Sequence, residues 1–148
     1  MFTPRVMNFA PLTSEDDAAL VYDRRFVSAS VEAIYPGTVL TGKPSDIEVL
    51  QRIVDGGPYT DAAKHILVAL GTSLGDLLSR ALNMQWVRYT DEYGIDLGLR
   101  YGQTSIVIFP RDMIIRRIED GEQPDLQELY EGVVREIQQL LEAGGWSR

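Results

Sequence analysis

At Met84 the spacing of apolar side chains changes from helical to alternating, and this change constrains the fold more than any other feature. Upstream, Ala63, Ile66, Leu67, Leu70, Leu74, Leu77, Leu78 and Leu82 recur at three and four residues, the pattern of a helix burying one face. Downstream, from Met84 to Phe109, the period is two, the signature of strands with one covered face. A chain that makes both kinds of element, with helical patterns on either side of the strands, is α+β.

The turns predict how the strands align. Asp91 can open a turn in which Glu92-Tyr93-Gly94 form a three-residue loop, which pairs Tyr89 with Leu97 and Val87 with Leu99. Gly102-Gln103 suits a two-residue reversal pairing Leu99 with Ile106 and Leu97 with Ile108. The result is a three-stranded antiparallel meander. Its expected core face is Val87, Tyr89, Leu97, Leu99, Ile106 and Ile108, and its expected open face holds Trp86, Arg88, Asp96, Gly98, Arg100, Val107 and Phe109.

Helices fill the rest. Thr13 or Ser14 can cap a first helix with Leu20, Val27, Val31 and Ile34 inward, stopped by Pro36-Gly37. A short second helix spans about 45–54, and the leucine-rich third begins after Thr60. Pro110 starts a fourth, ended by Gly121, and Asp125 with Glu128 caps a fifth that ends at Gly144-Gly145. Its inward stripe is Leu126, Leu129, Tyr130, Val133, Ile137, Leu140 and Leu141. The expected order is three helices, three strands, two helices, in a single domain over 1–148 with an irregular arm at 1–12 whose Phe2, Val6, Met7, Phe9 and Leu12 must pack somewhere. Inside the third helix, Gly71 and Gly75 each cost about 1 kcal/mol against alanine. Four residues apart and on one side, they predict a close approach by another element.

Composition removes several chemistries. The 148 residues include no cysteine and one histidine, so thiol nucleophiles, cysteine-ligated metals and multi-histidine sites are out. No cofactor or metal is expected. His65 falls at the edge of the leucine stripe and reads as structural. There is no G-x-S-x-G, no phosphate-binding G-x-x-x-x-G-K and no G-x-G-x-x-G. The net charge is −8, and residues 119–142 carry −7 of it in eight acids and one base. That field repels a phosphate backbone, so nucleic acid is not an expected partner. No apolar run approaches the roughly 20 residues of a membrane span, and the start of the chain lacks a secretory pattern, so the expected location is the cytoplasm.

The runs LGTSLGDLLSRALNMQWV, DEYGIDLGLRYG and SIVIFPRDMIIRRIEDGE carry a likeness. Over about residues 66–122 the chain resembles the bacterial family known as domain of unknown function 3806. The most specific parts are the paired glycines, Trp86, Asp96-Leu97-Gly98-Leu99-Arg100 and Phe109-Pro110. The resemblance implies a small single domain of bacterial origin and carries no catalytic residue with it.

Two surfaces are candidates for binding. On the open face, Trp86 opposite Arg100 permits a cation–π stack, Arg88 can pair diagonally with Asp96, and Gly98 leaves a notch beside Phe109. On the last helix, Glu128, Glu131 and Glu142 read either as a solvated helix face or as a docking surface for a basic partner. The expected function is a non-catalytic interaction domain that recognises a protein partner, of the kind seen in immunity proteins or secretion accessories. The alternative is a small-molecule or anion-binding module on the open face. A carboxylate-only hydrolase is a distant third, with Asp96 its only acid inside a sheet face.

Overall fold

The computed structural model describes residues 7–57 and 59–144. Gly145, Phe2, Val6 and the end of the arm before Met7 lie outside them. Helices α1 (Ser14–Ile34), α2 (Asp46–Asp55) and α3 (Lys64–Leu82) precede the main strands β2 (Gln85–Asp91), β3 (Gly94–Arg100) and β4 (Val107–Ile108), and α4 (Pro110–Glu119) and α5 (Leu126–Ala143) follow. A 3-10 turn at Asp61–Ala63 leads into α3. The arm is not irregular throughout: Asn8–Ala10 form β1, which pairs antiparallel with β2 and makes the sheet four-stranded, in the order β1-β2-β3-β4.

Local chemistry starts α1 and α5 as read, but Thr60, the expected cap of the third helix, makes no cap bond, and α3 begins only at Lys64 after the 3-10 turn. Thr13 accepts from the Asp16 N–H at 3.1 Å while Asp16 accepts from the Thr13 N–H at 2.9 Å, a reciprocal cap. Asp125 accepts from the Glu128 N–H at 3.1 Å. Leu20, Val27 and Val31 of α1 are buried, but Ile34 is half exposed, because the chain leaves the helix bundle at that point. The core is centred on Leu67, Leu70, Leu74 and Leu78 of α3, with Leu50, Leu99, Ile114 and Leu126 packed around them.

The paired glycines are where two elements meet α3. A Cβ on Gly71 would lie 2.5 Å from the Pro110 carbonyl oxygen, and one on Gly75 would lie 2.6 Å from the Trp86 ring. Helix α4 therefore starts directly on bare α3 backbone. From there Arg111 reaches across to Asp23 of α1 at 3.1 Å, and Thr72 donates to the same Asp23 oxygen at 2.6 Å. Asp23 is buried, and these two donors satisfy it.

Both hairpins differ from the expected alignment. In the first, Asp91 pairs with Gly94, leaving only Glu92 and Tyr93 at the tip. This is one residue tighter than expected, and one residue turns a strand over. Strand β3 keeps its expected sides, but β2 is reversed: Trp86 pairs with Leu99, Arg88 with Leu97, and Tyr89 with Asp96. The indole explains the choice. On the helix side Trp86 covers Gly75 and donates its N–H to Asp76 at 3.0 Å, and the expected register would have turned it away from both. In the second hairpin the loop is longer, with Leu99 pairing Ile108 rather than Ile106. Thr104 fills that loop, donating to the Tyr101 carbonyl at 2.6 Å. A slip of two residues leaves every side chain on its expected face.

Candidate functional site

The predicted open-face cluster is divided by the reversal of β2. Trp86 and Arg88 lie on the helix side, while Asp96, Gly98, Arg100 and Phe109 lie on the other. The proposed Trp86–Arg100 stack does not form. Trp86 instead shares Asp76 with Arg24, whose guanidinium meets both Asp76 oxygens at 2.8 and 3.0 Å. Arg88 pairs with Asp16 of α1, at 2.8 Å, rather than with Asp96. Burial pushes the Asp16 carboxyl up, but the Thr13 and Arg88 hydrogen bonds outweigh it and hold the group below its ordinary value.

Arg100 keeps a cation–π contact with a different ring. Its guanidinium carbon sits 3.8 Å from the centre of Phe9, and it donates to the Thr104 and Gln103 carbonyls at 2.7 and 2.9 Å. Phe9, Tyr89 and Phe109 form an edge-to-face row, with ring centres 5.5 and 5.1 Å apart. Gly98 permits this layer, since a Cβ there would meet Val107, the Ile108 carbonyl and the Phe109 ring at about 3 Å. Among the described residues, Val87, Tyr89, Val107 and Phe109 stand apart from the main core cluster.

At the hairpin end of this face is a cleft of about 410 Å³ between the tip of β2–β3 and the first turns of α4. Tyr89, Ile95 and Phe109 supply its apolar wall, and Asp96, Asp112 and Arg116 its polar one. Burial and the neighbouring Asp112 carboxyl push Asp96 up to about 6, against the Leu97 N–H and Arg111, which favour its charged form. Arg116 lies 3.7 Å from Asp112. Sequence reading missed Asp112, and it named Phe9 as an arm residue in need of packing without its contact to Arg100. Both were legible in principle: an antiparallel β4 delivers the residues after Pro110 to the Asp96 end of β3, and an arm with an apolar residue at 9 can reach a sheet edge.

The predicted acidic surface stays together. Glu128, Glu131 and Glu142 are all exposed on α5, and Glu131 accepts from Gln127 at 2.9 Å. Beside Glu128, a polar hollow of about 750 Å³ runs between the end of α4 and α5; Glu131 and Glu142 do not line it. An apolar hollow of about 470 Å³ adjoins it, between β4 and α5. His65 is exposed and its ring meets Phe26 edge-on at 5.0 Å, a packing role. Among the described residues, no group of three or more acids and imidazoles is placed to hold a metal, and no helix is long and apolar enough to cross a membrane.

The glycine contacts, Trp86 and the Phe109-Pro110 junction are the parts on which the likeness rested. The family model for the domain of unknown function DUF3806 matches residues 46–130. The chain belongs to this family. The match takes in α2 through the first turns of α5, and so includes the glycine seat, the sheet from β2 onward and the Asp96–Asp112 cleft; Glu128 falls inside it, Glu131 and Glu142 outside. A crystal structure of a protein from Bacteroides thetaiotaomicron VPI-5482 shares the fold, with a TM-score of 0.75 at 18% identity. The alignment covers 86% of this chain and 47% of that one, so this chain spans about half its length. No curated protein matches the sequence.

Proposed function

We propose that this DUF3806 chain is a non-catalytic interaction domain that recognises a basic protein partner through the acidic face of α5. The observation that carries the reading is the state of those acids. Glu128, Glu131 and Glu142 are exposed, and none of them forms an ion pair among the described residues. Asp16, Asp23 and Asp76, which lie between packed elements, each have an arginine partner instead. Unneutralised like charges on one helix repel one another in the free protein, and a basic partner relieves that repulsion on binding.

The test is affinity capture from native cells with the wild-type chain and with a Glu128→Lys, Glu131→Lys, Glu142→Lys triple variant. Wild type should retain a stoichiometric partner at low salt and release it at high salt, and the triple variant, folded to the same extent, should retain none. Equal recovery by both proteins overturns the reading.

A second reading, a small-molecule module on the open sheet face, has the Asp96–Asp112 cleft in its favour. Its anion-binding form is weakened because Arg88 is held by Asp16 and Arg100 by two loop carbonyls. Two adjacent carboxyls can serve a hydrolase, but nothing in the cleft assigns a reaction to them.

A further inference from the structure

Of the exposed α5 acids, Glu128 and Glu136 line a polar hollow that is continuous with an apolar trough, and the two together describe a more specific ligand than either alone. Ile106 and Ile137 form a buried floor, and Ile108, Met113 and Val133 form half-buried walls. Val133, Ile137 and Leu140 recur at four and three residues, the ridge against which a second helix packs. The adjoining polar hollow shares Arg117, Leu129, Val133 and Glu136 with it, so apolar and acidic walls are continuous. In that hollow Glu122, Asp125, Glu128 and Glu136 outnumber Arg117 and Arg135. The Arg117 guanidinium is drawn back to the Met113 carbonyl at 3.0 Å. A second copy of this chain would bring the same acids face to face, which the charge disfavours.

We propose that this trough is the docking site for a basic amphipathic helix of a partner protein. Its apolar stripe fills the hollow between β4 and α5, and its lysines or arginines face Glu128 and Glu136. The mode is helix-in-groove recognition, with apolar anchors for affinity and a charged rim for orientation. The proposal rests on the partner reading above and adds to it a place and a chemistry.

A helical peptide of leucines and lysines, with the leucines on one face, is the probe. A peptide of the same composition with its leucines scattered around the helix is the control. With the full chain isotopically labelled, the amphipathic peptide should shift the methyl resonances of Ile106, Ile108, Val133 and Ile137. It should also bind at least about tenfold more tightly than the scattered one, and Val133→Lys should remove about that advantage, as loss of a central anchor does. The methyl shifts are read on the wild-type protein, so they decide the location even if Val133→Lys disturbs folding. Equal binding of both peptides, weakened by the triple lysine variant but with the trough methyls unmoved, overturns the trough and leaves the acidic-face reading standing. Failure of both peptides to bind at low salt overturns the two together.

Discussion

The two faces of the sheet are held by opposite kinds of interaction. On the helix face shape and charge are both satisfied: Trp86 lies over Gly75, its N–H meets Asp76, and Arg88 and Arg24 each close on a carboxylate. On the open face the ring layer of Phe9, Tyr89 and Phe109 is ordered, yet two carboxyl groups, Asp96 and Asp112, lie together at its end. The first face is close-packed against backbone and tolerates no added atom. The second keeps a like-charge contact that a closed core would have eliminated. Stability is concentrated on one side and responsiveness to solution conditions on the other.

The sharpest way to break this contrast is to add one methyl group to the close-packed side. Gly71→Ala places a Cβ 2.5 Å from the Pro110 carbonyl and 2.9 Å from the Arg111 Cα, both backbone atoms that cannot turn aside. Helix α4 must lift off α3, loosening the Arg111–Asp23 pair with it. The net loss should be about 2 kcal/mol, as overpacking outweighs the roughly 1 kcal/mol that alanine contributes to an isolated helix. Denaturant unfolding measures it. A variant as stable as wild type would mean that the glycine seat is loosely packed and that the helix face has no special claim to rigidity.

A smaller effect should follow from removing a hydrogen bond from the same face. Trp86→Phe keeps a ring over Gly75 but leaves Asp76 with Arg24 alone, and the expected loss is about 1–2 kcal/mol. Arg24→Ala in the same background should then cost more than in wild type, because Asp76 would keep neither donor. Additive losses in that double-mutant cycle would show that the indole and the guanidinium do not act on Asp76 as a unit.

What could be read from residues alone divides along the same line. The helices and the meander were legible because caps, glycines and periodicity are local signals. The glycine pair was legible too, since two unfavourable residues on one side of a helix require a compensating contact. The side to which β2 turns was not. It depends on whether the loop after Asp91 holds two residues or three, and Asp91-Glu92-Tyr93-Gly94 allows either by turn chemistry. The choice is made by Trp86 fitting Gly75 and Asp76, a tertiary contact between residues ten and eleven apart. Alternation of side chains pointed the wrong way, because Val87 and Tyr89 are apolar, whereas Arg88, which shares the helix side with Trp86, is charged and is accommodated there only by Asp16. Asp112 was missed for a related reason: its importance comes only from where β4 ends, which the antiparallel meander implied but no local signal marked. Glu128, Glu131 and Glu142 of α5, by contrast, are exposed as expected, because the outward side of a charged helix requires no register.

The weakest perturbation tests the open face. Asp96 titrates near 6 in the folded chain, against 3.8 for an ordinary aspartate. Between those values the native state holds a proton that the unfolded chain has released, so stability falls as pH rises through that window and is level above it. Asp96→Asn removes the charge and with it the slope. The variant should match wild type near pH 4 and exceed it above about pH 6, by at most about 1 kcal/mol once solvent in the cleft has screened the repulsion. Asp112→Asn should flatten the wild-type slope as well, by removing the neighbour that helps to raise Asp96. Thermal melts across the acid range measure all three proteins. Parallel profiles would mean that Asp96 is solvated like any surface carboxylate, and the contrast between the two faces would then reduce to packing alone. Convergence of the two asparagine variants above pH 6 would place the repulsion between these two side chains. A partner or ligand that neutralises either one would then stabilise the fold by the same route.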